Sequence, residues 1–166
     1  MTVSDAPHWP TSALHAADTA FAALTCEPDP LTLDCDSLGA GLPLPPGQLP
    51  LPTLRDWLAE HPHDHDTRHA VWQELILRAR RDGPQWVVAA VGMAMPLLVR
   101  VVREMCQDFG GDPADVDAQI LTDFLDALRH RIDLDRDDPY SKLHEATQRA
   151  SRRRARLRQH PGHPTH

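Results

Sequence analysis

Residues 108–156 read DFGGDPADVDAQILTDFLDALRHRIDLDRDDPYSKLHEATQRASRRRAR, and this stretch decides the fold class. Gly110-Gly111 ends whatever helix precedes it. Asp112 then stands as a helix N-cap, and Pro113 takes the first helical position, where a missing N–H is no loss. Asp115 adds negative charge near the positive end of the helix dipole. Beyond it, Val116, Ile120, Leu121, Phe124, Leu125 and Leu128 recur at helical spacing and predict one apolar stripe, with Asp117, Asp123 and Asp126 largely off it. The same Asp-Pro device returns at Asp138-Pro139 and predicts a further helix with Tyr140, Leu143, Ala146, Ala150 and Leu157 on its inner face.

Upstream the helical pattern continues. Residues 97–109 place Leu98, Val101, Val102, Met105 and Phe109 inward, with Arg100, Arg103, Glu104 and Gln107 outward. Residues 86–95 are apolar nearly all round, which implies central burial. Pro96 has no N–H for the ladder, so it must kink this helix or start a new one. Gly83-Pro84 separates it from a helix capped by Asp66 and running to about Arg81, with Val71, Trp72, Leu75 and Ala79 on one face. Leu54, Trp57 and Leu58 mark a shorter one before it. With no alternating strand pattern, the expected class is all-α, a compact bundle of about five to six helices over residues 52–158.

The flanks read differently. Ten of the sixteen prolines fall in residues 1–62, and LPLPPGQLPLP at 42–52 is extended or turned, since proline fixes φ and removes donors. Residues 1–51 are therefore expected to form a disordered, acidic, proline-rich arm, and residues 159–166 a disordered tail. One signal runs against this: Leu14, Ala17, Phe21 and Leu24 recur at helical spacing, as for a short helix formed against a partner. The PxxP-like run is either a plain linker or a ligand for a proline-reading domain.

Composition narrows the function classes. The chain has 166 residues, 41% hydrophobic but only 5% aromatic, so its core rests on Leu, Val and Ala. Lys142 is the single lysine among seventeen basic residues, and Ala and Pro are abundant, the usage of a high-GC, actinobacterial type of genome. The net charge of −7 excludes a nonspecific nucleic-acid coat. That acidity belongs to residues 1–62, which hold eight acids and only Arg55, whereas residues 63–166 carry sixteen of each sign. A local basic face on the helical domain is thus compatible with the net charge. Three cysteines with no close pair, and an N-terminus carrying an early acid and an early proline, point to a cytoplasmic chain. The apolar run 86–99, broken by Gly92 and Pro96, falls short of the ~20 residues of a membrane span, so no membrane partner is expected.

Three constellations are candidates for chemistry. Arg149, Arg152, Arg153 and Arg156 share one helix face and suit bidentate contact with phosphates; the same cations would also favour a solvated helix C-terminus. Asp117, Asp123 and Asp126 offer an acidic, protein-binding face. His61, His63, His65 and His69 lie among Asp64 and Asp66, and His65 and His69 are four apart at a helix start, the spacing that directs two imidazoles to one metal. Structural sites show tighter, regular ligand spacing, so no metal is expected here, and still less at His160, His163 and His166. No nucleophile–base or HExxH grouping is present, so neither enzymatic activity nor a cofactor is expected.

The order of features resembles the conserved helical region-two domain of sigma factors, particularly the extracytoplasmic-function type, over residues 93–158. The motifs that carry the likeness are GDPADVDAQILTDFLDALR, the acidic loop IDLDRDD and the Arg-rich helix. In that family the acidic helix docks on RNA polymerase, and the segment after it melts and reads promoter DNA. The resemblance implies an all-α regulator with DNA or RNA polymerase as partners. With Phe124 on the family's phenylalanine, Asp115 and Asp117 take its first acidic positions. Its next acid falls on Ala118 and its polymerase-facing Gln-Glu pair on Leu121-Thr122, and the second, promoter-reading domain has no counterpart. The leading expectation is a non-catalytic helical regulator that contacts nucleic acid or the transcription machinery through its basic C-terminal helix. The alternative is a protein–protein interaction module without a nucleic-acid role, whose acidic arm recruits another protein.

Overall fold

Ser12 caps the first described element of the computed structural model, which describes residues 12–159. Its hydroxyl oxygen accepts from the His15 N–H at 3.1 Å and starts α1 (Ala13–Leu24). A short antiparallel ribbon follows: β1 (Thr32–Asp34) pairs with β2 (Gln48–Pro50), Leu33 opposite Leu49. Then come α2 (Leu51–Glu60), α3 (His65–Arg81), α4 (Pro84–Phe109), α5 (Pro113–Asp126) and α6 (Pro139–Gln159). The chain is an all-α bundle with one minimal two-stranded ribbon among the described residues.

The middle of the bundle is α4. At 26 residues it is about 39 Å long, and its N-terminal half is buried nearly all round, from Trp86 through Ala89, Ala90, Val91, Met93, Ala94 and Leu98. The interruptions at Gly92 and Pro96 do not divide it. By length and composition alone, Pro84–Asp108 could cross a membrane, but α1, α3, α5 and α6 pack around it and account for its apolar character.

Gly92 and Pro96 have instead been put to use in packing. The ring of Phe21, 3% exposed, lies directly on Gly92; a Cβ there would sit 2.0 Å from Phe21 Cδ2. Pro96 cannot donate to the Gly92 carbonyl four residues earlier, and the Arg55 guanidinium of α2 takes that bond at 2.9 Å. The same guanidinium stands 5.2 Å from the centroid of the Phe21 ring, a cation–π contact. One proline and one glycine thereby join α1, α2 and α4.

This overturns the expected disordered arm over most of its length. Leu14, Phe21, Leu33, Cys35 and Leu49 are buried in the common core with α3, α4 and α5. The helical spacing of Leu14, Ala17, Phe21 and Leu24 marks a helix whose partner is the rest of this chain, and the compact unit starts well before residue 52. The proline-rich run folds because Leu49 and Leu51 reach the core, while Asp36 accepts from the Gly47 N–H at 3.1 Å. Residues 1–11 and 160–166, where the outer ends of the expected arm and tail fall, lie outside the described residues.

The two helices that decided the class form as their caps predict. Asp112 accepts from the Ala114 N–H at 3.0 Å, and Ile120, Phe124 and Leu128 are fully buried, with Val116, Leu121 and Leu125 partly so. Past Asp126 the helix widens into a π turn, Ala127–Arg131, whose late carbonyls lack helical partners. Arg80 of α3 supplies them, donating to Leu128 O at 2.9 Å and Ile132 O at 2.8 Å. The acidic loop turns its carboxylates inward on its own backbone: Asp133 accepts from the Asp135 N–H and Asp137 from the Asp133 N–H, both at 3.0 Å.

Replacing Gly92 with Ala should destabilise the fold by roughly 1–3 kcal/mol despite alanine's better helix propensity, because the new methyl overlaps the Phe21 ring. A denaturant midpoint equal to or above wild type would show that α1 does not rest on α4.

Candidate functional site

Among the described side chains of α6, those of the first half reach the core and those of the second half do not; Ala150, expected on the inner face, lies outside the described side chains. Leu143 and Thr147 are fully buried, and the Thr147 hydroxyl donates back to Leu143 O at 2.8 Å. Beyond Thr147 every side chain described is exposed apart from the half-buried Gln148: Arg149, Arg152, Arg153, Arg156 and Leu157. Leu157, expected on the inner face, is 67% exposed, since the helix has by then passed its packing neighbours. The four arginines singled out from their spacing therefore stand on a helical arm that leaves the bundle. Arg149 has Glu145 of the same helix at 3.9 Å, a carboxylate that Lys142 also approaches at 3.5 Å. Pairs of this kind at the surface are worth about 0.3–0.5 kcal/mol, too little to tie up the cations.

The acidic set divides. Asp117 is 6% exposed and anchors the start of α1, accepting from the Ser12 hydroxyl and from the Leu14 N–H at 3.3 Å. Asp123 is equally buried. Neither presents a face to a partner; α1 covers Asp117 on a side of α5 that the apolar stripe alone leaves to solvent. Asp126 is half-exposed and pairs with Arg131 at 2.7 Å. An acidic protein-binding face built from all three is thus corrected to one accessible carboxylate.

The histidine-rich loop is put to structural use. His61 stacks on Trp57 with ring centroids 3.9 Å apart, its Nδ1 2.7 Å from Trp57 O. Asp64, not Asp66, caps α3, accepting from the Thr67 N–H at 3.0 Å and its hydroxyl at 2.8 Å, and these bonds hold its carboxyl below the usual range. His69 lies 3.6 Å from Asp138 on the far side of a loop. His63 and His65 are exposed, and no group of three or more His, Cys, Asp or Glu among the described residues is arranged to hold a metal. Cys26 is exposed, Cys106 half-buried and Cys35 buried; burial, then Asp34 and Asp36, push the Cys35 thiol up, away from reactivity.

One titratable group escaped the sequence reading. His144 of α6 faces α4, and its Nε2 is buried without a hydrogen-bond partner among the described residues. Burial pulls the imidazole below the ordinary histidine value and Arg100 adds to this, while Glu104 and Glu145 oppose it. No local pattern marks such a residue, since its environment comes from a helix some forty positions away.

No family model, curated protein or solved structure matches this chain.

His144 should make stability fall on the acid side. Its folded pKa lies below its unfolded value, so the unfolded chain takes up the proton first; stability is full above about pH 6.5 and declines as pH drops through that value toward the lowered folded one. Substituting His144 with Met should flatten this decline, narrowing the Tm difference between pH 8 and pH 5 relative to wild type. Parallel pH profiles for the two proteins would rule out the burial argument.

Proposed function

We propose that this protein is a non-catalytic helical module that binds nucleic acid through the arginine row of α6, in the manner of a sigma-factor region-two domain. The observation that supports this most is the placement of that row. Arg149, Arg152, Arg153 and Arg156 are exposed on the part of α6 beyond Thr147, the last buried residue among the described side chains. A regular helix with a row of guanidinium groups and no core to serve suits phosphates, each guanidinium offering a planar fork to a phosphate's oxygens. A net charge of −7 is compatible with this because affinity for a polyanion follows the local field at the contact surface.

The likeness to region two is carried by the order of elements: an apolar helix, an acidic capped helix, an acidic loop and a basic helix. It stops short of polymerase docking. Asp117 and Asp123, which would belong to such a surface, are buried against the rest of the chain. The reading is therefore contact with nucleic acid, with the polymerase left out.

Replacing Arg149, Arg152, Arg153 and Arg156 together with Gln should collapse affinity for DNA. The salt dependence, log K against log salt, should flatten by about three units for four lost phosphate contacts. Arg81→Gln, an exposed position on α3, should leave affinity within about twofold. Absence of binding by the wild type to duplex and single-stranded DNA and RNA at low salt would reject the proposal.

A further inference from the structure

The arginine row does not begin where the arm does. Lys142, Arg149, Arg153 and Arg156 follow one another at seven-, four- and three-residue steps, a single face of α6 about 21 Å long. Its inner end opens into a cleft of about 290 Å³ between α6 and the π turn after α5. Lys142, Arg149 and Arg153 line it from α6, Arg131 faces them from the π turn, Glu145 is the one carboxylate in the lining, and Ile132 forms an apolar part of the wall.

From this arrangement we infer that the cleft seats backbone phosphate of the bound nucleic acid, so that the binding surface continues from the arm into the bundle. The inference rests on the nucleic-acid reading above. Four cations meet two carboxylates here, Glu145 and the Asp126 that pairs with Arg131, leaving a local excess of two positive charges. Glu145 is shared loosely between Lys142 at 3.5 Å and Arg149 at 3.9 Å, so an incoming phosphate displaces only weak contacts. The wall is fixed in advance: Arg80 holds the carbonyls of Leu128 and Ile132 on either side of Arg131, which spares the ordering of that turn on binding. The cleft lies near the lower end of ligand-site volumes, roughly 300–1,000 Å³, large enough for a phosphate with its sugar and small for a folded partner.

The experiment uses the full chain carrying Arg131→Gln and Lys142→Gln, two positions outside the exposed arm. Binding to a short DNA duplex and to the matching single strand is followed by fluorescence anisotropy across a salt series, with a melting curve to confirm the fold. Affinity at 0.1 M salt should fall about tenfold and the salt slope should flatten by one to two units, while Glu145→Gln should tighten binding. Should the double variant be unstable, Lys142→Gln alone, on a half-exposed side chain, should give a smaller loss in the same direction. Wild-type affinity and slope in these variants, with binding still lost in the fourfold arginine variant, would overturn the cleft and leave the arm reading intact. No binding by wild type would remove both.

Discussion

The bundle depends on the contact of Phe21 with Gly92. Only a residue without a side chain lets the ring rest on the backbone of α4, and this close approach seats α1 along that apolar helix. Pro96 makes the arrangement exacting, because it deprives the Gly92 carbonyl of its helical partner and leaves a polar group in a buried place. Arg55 resolves this by bonding the carbonyl and lying over the Phe21 ring, so one side chain meets a polar and an aromatic demand together. The start of α1 is held separately by Asp117 of α5. With α1 fixed at both places, Leu14, Phe21, Leu33, Cys35 and Leu49 all join the core.

What was legible in the sequence was local. The Asp-Pro starts of α5 and α6, the Gly-Gly stop before α5 and the apolar stripe through Ile120, Phe124 and Leu128 all act within a few residues, and all were readable. The pairing of α1 with α4 was not, because Phe21 and Gly92 lie about seventy positions apart and neither announces the other. A proline count describes what a segment does alone, and it overlooked Leu33 and Leu49 in the ribbon and Leu51 at the start of α2, each able to reach the core. Asp117 misled for a similar reason: periodicity locates a helix's principal apolar face and is silent about a second neighbour on its flank.

The arginine row was legible as a pattern, but its meaning was not. Arginines at such spacing occur equally on a solvated helix end, and only their neighbours in the fold add to the pattern. Arg131, which extends the basic surface, arrives from another element through a π turn that no local signal predicted. The histidines followed the reverse course. Their density offered a metal site only as a minor alternative, and stacking on Trp57 and the Asp64 cap shape the loop that carries them.

Hydrogen exchange on the full chain, with and without a short DNA duplex at low salt, tests the account most directly. The account predicts that the amides of α1 are protected to the level of α4 in both states, since both belong to one core. The stretch 149–159 should exchange quickly in the free protein and slow markedly once DNA is added. Rapid exchange throughout α1, or an unchanged rate in 149–159 at saturating DNA, would contradict it.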